Sequence, residues 1–102
     1  MARLRWSPQA LEDLEAICRF IATDSPQTAR RVGQRLFAAV DRLERFPLSG
    51  RVVPELSDDA IREVRWKRYR IVYRVRTPET VEVLTVFHGA RMIDLQALLI
   101  GR

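Results

Sequence analysis

The chain has 102 residues, enough for one domain with a single core, and its 47% hydrophobic and 30% charged content are those of an ordinary globular protein. Its 18 Lys and Arg against 13 Asp and Glu leave a net charge of +5, which favours acidic partners such as nucleic acid or an acidic protein. No run of about 18 apolar residues offers a membrane span. The N-terminus, Met1-Ala2-Arg3-Leu4-Arg5-Trp6, lacks the apolar stretch of a signal peptide, and the single cysteine excludes an internal disulfide; both fit a reducing cytoplasm.

Leu4 and Trp6 alternate with Arg3 and Arg5, the period of a short initial strand. Ser7-Pro8 then reads as an N-cap followed by proline at the first helical position, where the missing N–H is no loss. Leu11, Leu14, Ile17, Cys18 and Ile21 form one apolar stripe, so a helix is predicted from Pro8 to about Thr23. Glu12, Asp13 and Glu15 sit near its start, where negative charge complements the helix dipole. Ser25-Pro26 repeats the start signal. Ala29, Val32, Leu36, Phe37, Val40 and Leu43 give a second stripe that ends before Phe46-Pro47. So short a link predicts an antiparallel helical hairpin, whose apolar faces need a common platform. Pro47 to Asp59 reads as a long loop, mobile or part of a binding edge.

Strands follow at Ile61 to Trp66, Tyr69 to Arg76 and Val81 to Phe87, linked by Lys67-Arg68 and by Thr77-Pro78-Glu79-Thr80. Links this short predict an antiparallel meander. Met92, Leu95, Leu98 and Leu99 then recur at the spacing of a short C-terminal helix or apolar tail. The expected fold is α+β over residues 1–102: an N-terminal strand, a helical hairpin and a three-stranded antiparallel meander beneath it.

The middle strand carries the strongest chemical signal. Tyr69, Ile71, Tyr73 and Val75 alternate with Arg70, Val72, Arg74 and Arg76, which assigns the first set to the core and the second to the opposite face. Guanidinium groups at fixed spacing on a stiff sheet suit phosphate or carboxylate. Trp66 is balanced between burial and partner contact. Cys18, on the helical stripe, reads as a small buried hydrophobe, and Arg30, Arg31 and Arg35 as a solvated face or the rim of an acidic partner's footprint. No grouping has metal-ligand spacing and no glycine-rich phosphate loop is present, so neither metal nor cofactor is expected.

Trp6-Ser7-Pro8-Gln9-Ala10-Leu11-Glu12-Asp13-Leu14 opens the chain, and Arg42-Leu43-Glu44-Arg45-Phe46-Pro47 with Gly50-Arg51 closes the hairpin. Tyr69-Arg70-Ile71-Val72-Tyr73-Arg74-Val75 and Val86-Phe87-His88-Gly89-Ala90-Arg91 come next. In this order and spacing the motifs resemble the RelE/ParE toxins of type II toxin–antitoxin (plasmid stabilisation) modules, closer to the ParE branch, over nearly the whole chain. The resemblance implies a bacterial toxin neutralised by a small antitoxin that wraps it. The ParE branch poisons DNA gyrase by binding; the RelE branch cuts messenger RNA in the ribosomal A site.

Cleavage by the ribose 2′-hydroxyl needs a base, cations on the phosphorane-like transition state and an acid for the leaving oxygen. The resemblance assigns Arg70 and Arg91 as phosphate clamps, and His88, the only imidazole, as the remaining acid–base group. Its competing role is to hydrogen-bond a neighbouring loop. Where the ribonucleases tend to place paired lysines the chain reads Ile61-Arg62-Glu63-Val64-Arg65, with an opposing carboxylate at Glu63, and no tyrosine follows Tyr73. The expected function is therefore a non-catalytic, gyrase-inhibiting toxin. The alternatives are a ribosome-dependent mRNA endoribonuclease using Arg70, His88 and Arg91, and a non-toxic basic accessory subunit. An exposed sheet edge beside the strip Met92, Leu95, Leu98 and Leu99 calls for a covering partner, the cognate antitoxin. Its expected contacts are Arg65, Trp66, Arg70, Arg74, His88, Arg91, Met92, Leu95 and Leu98, with antitoxin acids meeting Arg65, Arg70, Arg74 and Arg91.

Overall fold

The computed structural model describes residues 1–91 and 93–100. Strand β1 (Arg3–Trp6) leads into α1 (Pro8–Ala22) and α2 (Pro26–Ala38), then a 3₁₀ turn over Asp41–Glu44. β2 (Arg51–Val52), β3 (Ile61–Trp66), β4 (Tyr69–Thr77), β5 (Thr80–His88) and α3 (Leu95–Ile100) complete the chain. The caps form as their chemistry requires: Ser7 Oγ accepts from the Ala10 N–H at 3.0 Å and Ser25 Oγ from the Thr28 N–H at 3.1 Å, each before a first-turn proline. None of the three acids expected to serve the α1 dipole falls in its first turn.

The sheet is larger than the meander alone. Its order is β1-β5-β4-β3-β2, five strands, with β1 parallel to β5 and the other pairs antiparallel. The two-residue β2 had no signal in the sequence, because its pairing is imposed from outside the segment. Tyr73 donates its hydroxyl to the Pro47 carbonyl at 2.7 Å and accepts from the Gly50 N–H at 3.0 Å. Arg62 reaches the Leu48, Gly50 and Asp59 carbonyls, at 3.3, 3.0 and 2.9 Å, so one guanidinium staples both stems of the 47–59 loop. A β-carbon on Gly50 would lie 2.6 Å from both the Glu63 carbonyl oxygen and the Tyr73 hydroxyl, which is why the crossing needs glycine.

The main core lies between the hairpin and one sheet face. Ala10, Leu36, Val40 and Leu43 meet Val64, Ile71, Tyr73, Val81, Val83 and Val86, with Tyr69 and Val75 half-buried at its rim. The second helix stops at Ala38, before the end its apolar stripe predicted, and the 3₁₀ turn carries Leu43 inward. Phe37, from that stripe, is half exposed and stacks on Trp6 at 5.1 Å. Cys18 packs against α2, its thiol pointing at the Ala29 carbonyl, and burial raises its pKa.

The opposite sheet face departs further from expectation. Val72, Ile61, Leu84 and Phe87 form a second core with Val53 from the loop and Leu95 and Leu99 from α3. Leu95, Leu98 and Leu99 of the C-terminal strip expected to await a partner thus pack on their own sheet, and Leu95 is buried rather than partner-facing. The Tyr73 bridge generates a test. Tyr73→Phe keeps the ring but leaves the Gly50 N–H and the Pro47 carbonyl unsatisfied. The expected loss is about 1–3 kcal/mol in urea unfolding at unchanged m-value.

Candidate functional site

β1 ends at Trp6, while β5 continues to His88. Beyond that point side chains of the following helix serve the β5 edge. Ser7 donates its hydroxyl to the Leu84 carbonyl at 3.1 Å, and Asp13 accepts from the Val86 N–H at 3.2 Å and from the Thr85 hydroxyl. Gln9 fixes the other Asp13 oxygen at 2.7 Å. The helix therefore stands off from the end of the sheet and a cleft of about 390 Å³ opens between them. Ala16, Ile17 and Phe20 of α1 form one wall; Tyr69, Val86, Phe87 and His88 form the other, with Arg91 at the mouth. It continues past Asp13 toward Ile93, Asp94, Ala97 and Leu98. Phe20 is 79% exposed, an apolar ring held at the rim with no ring partner among the described residues.

Several expected site residues converge here. His88 accepts from the Ala90 N–H through Nδ1 at 3.1 Å, and its carbonyl accepts from the Arg91 N–H, which is the loop-bonding role weighed against catalysis. Its ring meets Tyr69 edge-on at 5.5 Å, and Tyr69 stacks on Trp66 at 6.5 Å. Lys67, with φ of 53° at the tip of the β3–β4 turn, lies over the Trp66 ring. Trp66 is half-buried, so it joins the core edge and the surface at once. Arg91 is exposed and Leu98 half-buried; Met92 lies outside the described residues.

Arg70 does not join them as a free cation, a correction to the expected row of displayed guanidinium groups. Its side chain is 8% exposed, and it donates to the fully buried Glu63 carboxylate and, through both terminal nitrogens, to Glu55 at 2.7 and 2.8 Å. Glu63 also accepts from Arg51 at 2.8 Å and Arg65 at 3.3 Å. The hydrogen bonds from Arg70 hold the Glu55 carboxyl down at about 2. Burial pushes Glu63 upward, but Arg70 and Arg51 outweigh it and leave that carboxyl below its ordinary value. The same partners raise the Arg70 pKa, Glu55 first. Arg65 is about half exposed and tied to Glu63; Arg74 is partly buried.

Sequence reasoning did not bring Phe20, Asp13 or Glu55 into the site. Phe20 is a large apolar residue outside the helical stripe, which was its one available signal. Glu55 had none, since it acts through a loop whose path is set elsewhere.

A sequence model described as ParE toxin of the type II toxin–antitoxin system, parDE, matches residues 4–93. That match and the toxins the chain resembles in sequence make the class a RelE/ParE-superfamily toxin of a type II toxin–antitoxin system, and the small mixed sheet with a helical hairpin on one face is the fold expected of it. Within that class the chain belongs to the ParE toxin family. It is 36% identical over 89 residues to Y4kP of Sinorhizobium fredii, described as a toxin, covering 85% of this chain and 88% of that protein. It is 37% identical over 93 residues to toxin RelE2 of Caulobacter vibrioides, covering 90% and 100%. Its fold is similar to a chain of the chromosomal ParDE system of P. aeruginosa (TM-score 0.70, 21% identity, covering 86% of this chain and 96% of that one). It is also similar to one of the RelBE2 toxin–antitoxin complex of Mycobacterium tuberculosis (TM-score 0.55, 22% identity, 85% and 96%).

The ion cluster yields graded predictions. Glu63→Ala strands the Arg70 guanidinium with one exposed partner and is expected to cost about 3–5 kcal/mol. Glu55→Gln, at a side chain 45% exposed, should cost only about 0.5–1 kcal/mol. Both carboxyls are depressed in the fold, so their stabilisation is complete above the ordinary value of 4.5 and is lost on acidification through the folded-state values, about 2 for Glu55. Wild-type denaturation midpoints should therefore fall steeply below pH 4.5, and the Glu63→Ala chain should show a shallower fall.

Proposed function

We propose that this chain is a cytoplasmic toxin that acts by binding DNA gyrase, not by catalysis, and that a cognate antitoxin holds it inactive by filling the cleft between α1 and the end of β5. The observation that supports the non-catalytic reading is the fate of Arg70. A ribonuclease would aim that guanidinium at the scissile phosphate. Here two carboxylates of the same chain neutralise it and α3 covers its sheet face, so an entering phosphate would find that guanidinium buried and already bonded to Glu63 and Glu55. The one imidazole is occupied on Nδ1 by its own loop.

The cleft suits a segment of amphipathic helix or strand. Ile17, Phe20, Val86 and Phe87 supply apolar surface, and Arg91 at the mouth suits an antitoxin carboxylate. Arg65, Trp66, His88 and Leu98 extend the contact surface around it, and Arg70 and Leu95 support it from within. Arg74, in register with Glu82 toward the β4–β5 turn, lies away from the cleft and is not among its contacts. The endoribonuclease reading draws on a different observation: Tyr69, His88 and Arg91 share one cleft, and a relative bears the name RelE2. It needs His88 freed from Ala90 and a second phosphate cation that Arg70 does not supply.

The purified chain is expected to inhibit gyrase supercoiling of plasmid DNA and to leave ribosome-bound transcripts intact, and His88→Ala should retain full growth inhibition. Transcript cleavage without any effect on supercoiling, abolished by that substitution, would transfer the assignment to the ribonuclease. Phe20→Glu should weaken antitoxin binding about 30-fold or more, roughly 2 kcal/mol, in a titration with the purified partner.

A further inference from the structure

The second core covers only half of the sheet's far face. Beyond Val72 and Leu84, toward the β4–β5 turn, that face carries Arg74 and Arg76 from β4, Glu82 from β5, and Arg3 and Arg5 from β1. The strand register sets Arg5 and Arg74 on either side of Glu82. Arg76 donates to the Glu82 carboxylate at 2.8 and 2.6 Å. Arg3, Arg5 and Arg74 make no side-chain hydrogen bond or ion pair among the described residues. Arg3, Arg5 and Arg76 are exposed and Arg74 is partly so.

We propose that this arginine row binds the phosphate backbone of nucleic acid, without reading its sequence. Backbone pairing fixes the roots of these side chains. Strand spacing puts Arg5 about 10 Å from Arg74, and pleat spacing puts Arg3 about 7 Å from Arg5. Several cations are thus held beside one carboxylate that is already paired, and a further anion relieves their mutual repulsion. Guanidinium forks match phosphate oxygens two at a time.

The chemistry of the row selects this occupant over an acidic protein. A protein interface draws its affinity from buried aromatic or aliphatic anchors. The strands of this half-face expose no large apolar side chain. Of the exposed large apolar residues, Leu11, Phe20, Phe37, Phe46 and Leu48 lie on helices or loops elsewhere, and Met1, just before β1, is a single flanking side chain and not a cluster of anchors. Phosphate contacts need no such anchor, because counterion release and charge-assisted hydrogen bonds supply the affinity. The row also lies at the opposite end of β5 from the cleft, so it forms a separate surface.

The test is fluorescence anisotropy of the full purified chain with labelled random-sequence duplex DNA, single-stranded RNA and polyglutamate, from roughly 50 to 200 mM salt. The wild-type chain should bind the nucleic acids in preference to polyglutamate and lose affinity as salt rises. Arg5→Ser/Arg74→Ser should weaken binding about tenfold at low salt and reduce the log–log salt slope by about two. Arg30→Ser/Arg31→Ser, which removes the same charge from α2, should change both far less. Equal losses in the two variants, an unchanged slope, or preference for polyglutamate would overturn the proposal. If far-UV circular dichroism shows the first variant unfolded, Arg3→Ser on the exposed edge replaces it, with a slope change of about one. Supercoiling is measured separately, so a chain that binds DNA through the row yet spares gyrase refutes the gyrase reading and upholds this one.

Discussion

The fold turns on one buried carboxylate. Glu63 sits in the middle of β3 with no exposed side-chain surface, and a charge in that position is tolerable only because Arg70, Arg51 and Arg65 converge on it. The consequences run outward from that pairing. Arg70, drawn down onto the sheet, presents its remaining edge to Glu55, and the bidentate contact holds the 47–59 loop over the strands. With the loop in place, Val53 joins Ile61, Val72, Leu84 and Phe87, and α3 has an apolar surface to cover. The face that strand periodicity presents as a bed of cations becomes a second hydrophobic core.

How much of this was legible in the sequence depends on how far each determinant reaches. Helix starts are local: Ser7-Pro8 and Ser25-Pro26 each cap the adjoining segment, and both helices begin at their prolines. Strand alternation is local too, and β3 runs from Ile61 to Trp66 as its pattern required, with Ile71 and Tyr73 on the helix-facing side. Alternation assigns a side chain to a face; it does not say what covers that face. Glu63 was legible as a carboxylate opposed to phosphate, but its grip on Arg70 depends on the register that pairs Arg65 with Arg70 across the hairpin. The β1–β5 pairing joins the two ends of the chain, and β2 is held by Tyr73 and Arg62 from other strands. No short window of sequence contains those partners.

The cleft was legible in its residues and not in its shape. His88 and Arg91 stood out as chemistry and Tyr69 was assigned to the core, whereas the opening itself arises because Asp13, a helical side chain, takes the place of a strand at Val86. A carboxylate serving a sheet edge keeps that edge from pairing indiscriminately with other chains. It also holds the helix away from β5, which leaves Phe20 and Ile17 facing space. Edge protection and the opening of a groove are the same structural event.

That event also separates the two surfaces of the molecule. β1 has four residues and β5 nine, so β5 is flanked by a strand along its first half and by side chains along its second. The paired half fixes Arg3 and Arg5 beside Glu82 and so builds the arginine row; the unpaired half makes the cleft. A partner that fills the cleft touches neither Arg5 nor Arg74, so occupying one surface leaves the other open. If an antitoxin fills the cleft as proposed, its neutralising contact falls on the cleft and the surface around its mouth, at a distance from the row. The length of a four-residue strand decides where each kind of partner has room.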